Sequence, residues 1–282
     1  MNSIYKELNM IYADNAATTK MSKTAIDTMI SVMNEAWGNP SSLYSHGQKA
    51  KEILEDARKK VASAISAEPR EIYFTSGGSE ADNQAILSAA AIGKKNGKMH
   101  IISSAFEHHA VLHTLEKLEK EGFEVTLLNV HENGLIVPSE LEDAIRSDTC
   151  LVTIMAANNE IGTIQPIREL GAICRKHGVL FHTDAVQAIG HIPINVETDN
   201  IDMLSSSAHK FHGPKGVGFL YVKKTVRLNP LIEGGAQERG KRAGTENVPG
   251  IAAAAAALLE AVDRIPEYTK TVTKKRDRKS VV

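Results

Sequence analysis

Short runs of apolar and β-branched residues recur along the chain at 71–75, 100–103, 124–130, 150–155, 179–183, 203–206 and 218–222. Their length and bounding polar residues predict strands. Between them the apolar positions change to a spacing of three and four. That stripe is clear over 54–65, 81–92, 111–118 and 167–174 and predicts amphipathic helices. The Ala-rich run at 251–259 predicts a buried helix. Strands alternating with helices predict an α/β fold, with a mostly parallel sheet and helices on both faces. In such sheets ligands settle beyond the carboxyl ends of the strands. The polar residues that follow each strand are therefore the place to look for chemistry.

The first such place reads Thr75-Ser76-Gly77-Gly78-Ser79-Glu80 and opens a helix. Glycines allow close backbone approach, and free N–H groups at a helix start favour an anion. A phosphate cradle and a plain glycine turn with an N-cap both fit, and the local residues do not choose. The next strand ends give Glu107-His108-His109, then Asn158-Asn159-Glu160, then Asp184-Ala185-Val186-Gln187, then Ser207-Ala208-His209-Lys210. Any one of these could be capping or core satisfaction. Five polar, reactive strand ends in succession point to a site.

Composition narrows the class. The chain has 282 residues, 42% of them hydrophobic, enough for one large core. A formal net charge of -1 gives no global field for nucleic acid or a membrane. The first ten residues lack the pattern of a signal peptide. No apolar run reaches the roughly 20 residues a span needs. Two cysteines, Cys150 and Cys174, form no framework, and a reducing cytoplasm is expected. The basic stretch from Lys270 through Lys274, Lys275, Arg276, Arg278 and Lys279 reads as a solvated helix face that frays.

Two motifs compete for attention. Gly235 through Gly240-Lys241 has the G-x-x-x-x-G-K spacing of a nucleotide loop, but Arg242 stands where a Ser or Thr would bind magnesium. His109 and His113 are one helical turn apart without the glutamate of H-E-x-x-H, so no metal site is expected.

Together with Tyr12-Ala13-Asp14-Asn15-Ala16-Ala17-Thr18-Thr19 and Gly38-Asn39-Pro40-Ser41-Ser42, the strand-end motifs resemble the cysteine desulfurases. These are pyridoxal 5'-phosphate enzymes of the class V aminotransferase group, fold type I. The resemblance runs to about Ile265. It implies that Lys210 carries the cofactor aldehyde, that Asp184 meets the pyridine nitrogen, and that Gln187 meets the ring hydroxyl. It implies that His108 lies on the ring face and can move protons. Gly78, Ser79, Ser207 and His209 would hold the phosphate, with Thr245 reaching it from the second subunit of a homodimer. Asn159 would lie beside cofactor and substrate, and Asn39 near the substrate carboxylate. The implied reaction converts L-cysteine to L-alanine and passes sulfur to a protein thiol, for an acceptor or scaffold protein in iron–sulfur cluster or thio-cofactor synthesis. A selenocysteine lyase shares these motifs.

By the same resemblance, 1–264 is a large cofactor domain with an N-terminal arm. Residues 265–282 are the start of a small C-terminal domain that is largely missing, or a frayed tail. The family's persulfide-forming cysteine and its C-terminal arginine would then be missing. Cys150, in a strand, and Cys174, on an amphipathic helix, read as core residues. The expectation is impaired sulfur transfer, exposed apolar surface and reduced stability. The alternative is a fragment or scaffold subunit that binds the cofactor without turning over.

Overall fold

A computed structural model describes residues 11–279, with side chains through Lys275. The expectations for residues 1–10 and for the chain end at 280–282, and the side chains of Arg276, Arg278 and Lys279, lie outside that description. Helices α1 (Lys23–Glu35) and α2 (Ser45–Ala64) lead into β1 (Ile72–Thr75), α3 (Gly78–Lys95), β2 (His100–Ser104), α4 (His109–Lys120) and β3 (Glu124–Leu128). Then come α5 (Pro138–Ala144), β4 (Thr149–Thr153), α6 (Ile167–His177), β5 (Leu180–Asp184), β6 (Met203–Ser207) and β7 (Gly218–Val222). A short kinked helix α7 (Gln237–Gly240) precedes α8 (Val248–Asp263) and α9 (Ile265–Lys279).

The strands form one seven-stranded sheet in the order β1-β7-β6-β5-β4-β2-β3. The pairs from β6 through β3 are parallel, while β7 runs antiparallel to both β6 and β1. Alternate side chains on a strand point to opposite faces, and here each face has its own core. Ile101, Leu151, Met203 and Leu220 pack with α3 and α4. Ile102, Val152, Leu204 and Phe219 pack with α2, α6 and α8 on the other side. Both faces being covered explains why the parallel strands read as unbroken apolar runs. The Ala-rich α8 is buried over most of its length and packs against α1 and α2.

All seven expected strands are present, with ends shifted by at most two residues. The helix expected at 54–65 starts nine residues earlier, at Ser45, because its first turns bury only Gly47 and Ala50 and show no apolar stripe. Helix α8 gives way to α9 at Arg264, and residues 266–275 of α9 are exposed. On the outer side of α1, Ile26, Ile30 and Met33 form an exposed apolar stripe continued by Trp37. Among the described residues no helix is long and apolar enough to cross a membrane.

Candidate active site

At the C-terminal end of β1 the chain turns through Ser76 and Gly77 into α3. Gly77 has φ +155, a conformation that favours glycine. A β-carbon on Gly78 would stand 2.6 Å from Val186 Cγ2, so Val186 packs directly on the glycine and no side chain fits there. The Thr75 hydroxyl donates to the Gly77 carbonyl at 3.0 Å and Glu80 accepts the Ser76 N–H at 2.9 Å, which fixes the turn. Ser207, the last residue of β6, sits behind it: a β-carbon on Gly77 would be 3.5 Å from its hydroxyl.

After β6 a single 3-10 turn, Ala208–Lys210, presents His209 and Lys210. The N-terminal arm wraps this turn. The Lys210 amine donates to the Ala16 carbonyl and, at 3.0 Å, to that of Ala17. His209 Nδ1 meets the Thr18 hydroxyl at 3.0 Å, and Thr19 donates its hydroxyl to the His209 carbonyl at 2.7 Å. Burial lowers the pKa of Lys210, against the opposing pull of Asp184 and Asp14. Burial, with the charges of Lys210 and Lys215, also lowers that of His209.

Asp184 ends β5, and its Oδ1 accepts the Val186 N–H at 2.9 Å. Burial raises its pKa, while that hydrogen bond and the nearby His108 and Lys210 act the other way. Gln187 donates to the Ala16 carbonyl at 2.9 Å. His108 caps α4: its Nδ1 accepts the Ala110 N–H at 3.1 Å, so Nε2 is the nitrogen that carries hydrogen in the neutral ring. Asn159 donates to Glu160 at 2.9 Å.

Gly78, Ser79, His108, Asn159, Asp184, Gln187, Ser207, His209 and Lys210 line one cleft of about 860 Å³. Asn39 does not line it, and Thr245, expected to act across to a second subunit, lies outside this chain's own cleft. Asn39 is exposed in the loop between α1 and α2, where its side chain accepts the Ser41 N–H at 2.9 Å. Thr245 is exposed in a separate small hollow, bounded by Phe74, Glu238 and Arg242.

Sequence reasoning passed over two buried carboxyls near the cleft. Asp82, on α3, lines it; burial and the charges of Asp184 and Glu107 raise its pKa. Glu107, just past the end of β2, lies behind the cleft and accepts the Met155 N–H at 3.0 Å. Burial pushes it up to about 8. His182, on β5, is pushed down to about 3 by burial and stays neutral, between the hydroxyls of Thr153 at 2.8 Å and Ser205 at 2.9 Å. The missed signal was a charged residue at a position whose helical stripe is otherwise apolar: Asp82 follows Ala81 and precedes Ala85 and Ile86 in the same core-facing helix.

The competing motifs resolve into structure. Among the described residues no strand runs directly into Gly235, since β7 ends at Val222, and within α7 Glu238 and Arg239 have φ of 45° and 58°, unlike a phosphate loop. Glu238 is instead the buried partner of Arg58, at 2.8 Å. His109 and His113 stack with centroids 5.3 Å apart, and no cluster suited to a metal occurs among the described residues.

The sequence signature of the aminotransferase class-V family matches residues 11–276. The cysteine desulfurase IscS of Methanosarcina thermophila is 54% identical over 276 residues, 98% of this chain and 68% of that protein. The protein of the same name from Clostridium botulinum strain Hall is 51% identical over 268 residues, 95% of this chain and 67% of its own length. In structure, the fold is similar to a NifS-like protein, with TM-score 0.92 and 45% identity over 95% of this chain and 74% of that one. It is also similar to SspA in complex with cysteine, with TM-score 0.85 and 42% identity, covering 89% and 72% of the two chains.

Proposed function

The chain belongs to the class V aminotransferase family, among its pyridoxal-phosphate-dependent cysteine desulfurases, and on that premise we propose how its residues divide the work. The supporting observation is that nine side chains or glycines from five strand ends meet in one cleft. The cleft suits the cofactor chemically. It offers a glycine turn at a helix start for a phosphate, a buried carboxyl for a ring nitrogen, and an amine of lowered pKa for an aldehyde.

Gly78, Ser79, Ser207 and His209 would hold the phosphate. Asp184 would hold the ring nitrogen, Gln187 the ring hydroxyl and His108 the ring face. Lys210 holds the aldehyde carbon. Pyridoxal phosphate, when bound, supplies an electron sink for charge on the α-carbon of an amino acid. Lys210 would serve as the base at Nζ, and its lowered pKa favours the unprotonated amine. His108 can donate from Nε2. L-cysteine is the substrate, with Asn159, which lines the cleft, beside it; Asn39, outside this chain's cleft, is not assigned a contact to it. Thr245 is assigned to the phosphate of a second subunit, in a cytoplasmic homodimer that serves a sulfur acceptor or scaffold protein.

Sulfur transfer needs a thiolate. Neither Cys150 nor Cys174 is placed to supply one: both are buried and burial raises both thiols, Cys150 to about 11. That burial favours a second reading, in which this chain holds the cofactor without releasing sulfur. Two measurements separate the readings. The visible spectrum of protein mixed with pyridoxal phosphate should show a bound-cofactor band that Lys210→Ala lacks. A wild type without that band would refute the site assignment. Sulfide released from cysteine by the loaded protein would refute the second reading.

A further inference from the structure

Glu80 places a negative charge where none is expected. Its carboxylate lines the same cleft as Ser76, Gly77, Gly78 and Ser79, the turn assigned above to a phosphate. Two anions side by side repel, and the repulsion grows where water is scarce. The Glu80 side chain is only 9% exposed. Its charge is answered by Arg242, 162 residues further along the chain. The guanidinium meets both oxygens, Nε to Oε1 at 2.9 Å and Nη2 to Oε2 at 3.3 Å, a two-point geometry that a lysine could not copy. The Oε2 atom also accepts the Ser76 N–H at 2.9 Å. Burial acts to raise the Glu80 pKa, but Arg242 and Ser76 hold it below the ordinary value, so the carboxylate stays ionised.

Arg242 is itself fixed in place. Gln84 on α3 donates to the neighbouring Lys241 carbonyl at 2.7 Å. Gln237 accepts the Gly244 N–H at 3.1 Å, and Glu238 accepts the Phe74 N–H at 2.9 Å. The segment that carries the arginine is therefore tied to both β1 and α3, the two elements that flank the turn.

We propose that Glu80 and Arg242 are positioning residues for the cofactor phosphate: Glu80 sets the turn of residues 76–78, and Arg242 cancels the charge by which Glu80 would repel the phosphate. The inference rests on the reading of the cleft as a pyridoxal-phosphate site. It carries a signature that a purely structural link lacks. Removing the arginine alone leaves a bare anion beside the phosphate, whereas removing both charges does not.

The test is a binding titration, followed by visible absorbance, of pyridoxal phosphate and of pyridoxal, which lacks the phosphate. Wild type, R242M, E80Q and E80Q/R242M are compared. R242M should weaken pyridoxal phosphate by roughly tenfold or more, as expected for an unanswered charge in a partly dehydrated site, and leave pyridoxal almost unchanged. The double variant should recover most of the loss, and added salt should shrink the R242M deficit. Equal weakening of both ligands by R242M, or a double variant worse than R242M, would overturn the proposal. If R242M does not fold, the double variant decides, since it should keep the wild-type preference for the phosphorylated ligand. A wild type that shows no such preference would bring down the site reading and this proposal together; a wild-type preference that R242M leaves intact sinks the proposal alone.

Discussion

Glu107 accepts the backbone N–H of Met155 at 3.0 Å, joining the end of β2 to the end of β4 beneath the cleft. Ser104 donates to the same oxygen, and the second oxygen is buried without a partner. Burial pushes this carboxyl from the ordinary 4.5 up to about 8. The folded state therefore keeps a proton that the unfolded chain has already released, and stability falls as pH rises through that window. Asp82 has the same sign. His182 has the opposite sign, but only below its ordinary 6.5. Between about pH 6.5 and 8, E107Q should therefore lose less stability than the wild type. Urea midpoints of the unliganded protein across that range test it, and parallel pH profiles would count against it.

Arg58 and Glu238 form a pair in which the two side chains are 3% and 2% exposed, with the guanidinium also 4.8 Å above the Phe74 ring. Glu238→Ala would remove the buried ion-pair partner of Arg58, leaving it only the half-exposed Glu55 at 3.2 Å in that role, and would leave the Phe74 N–H without its acceptor. A loss of about 3–5 kcal/mol is expected by urea unfolding. Asp27→Ala, which breaks the exposed pair to Lys23 at 2.5 Å, should cost under about 0.5 kcal/mol. Similar losses in the two variants would contradict the distinction.

Gly218 admits no side chain. A β-carbon there would stand 2.4 Å from the Ser206 carbonyl and 2.7 Å from Gly77 Cα, both backbone atoms that cannot swing aside. Gly218→Ala should destabilise by about 1–3 kcal/mol and weaken pyridoxal phosphate by moving the turn that Gly77 begins. A variant with wild-type melting and cofactor affinity would show that β7 does not bear on the turn.

The thiols of Cys150 and Cys174 should be silent toward a thiol reagent such as Ellman's in the folded protein at about pH 8 and titrate fully in denaturant. Both are buried and both are raised by burial, so little thiolate is present or reachable. Rapid reaction of either in the native state would reopen the question of a sulfur carrier within this chain.

Strand positions were legible because buried parallel strands are apolar on both faces, as Ile101 with Ile102 and Leu151 with Val152 show. The antiparallel course of β7 was not, since Gly218-Phe219-Leu220-Tyr221-Val222 looks the same in either direction. Helix α1 was not singled out either. Its Ile26, Ile30 and Met33 are exposed, and its buried side is only Ala25 and Val32. In the site, the strand-end motifs marked the residues that line the cleft. They could not mark Arg242, whose partner Glu80 lies 162 positions away, nor Asp82, which lies within α3 rather than at a strand end and shows only as a charge in an apolar helical stripe.

The strand order also fixes when the site can be built. Among the described residues, strand β1, which carries the phosphate-side turn, hydrogen-bonds to β7 and to no other strand. Those partners are the first and last strands of the sheet, Ile72–Thr75 and Gly218–Val222, so the turn lacks its support until nearly the whole α/β unit has been made. Closing so long a loop is slow because its entropy must be lost before the pairing rewards it. On the ribosome, β2 through β6 can pair among themselves while β1 waits, which makes cofactor capture one of the last events of folding.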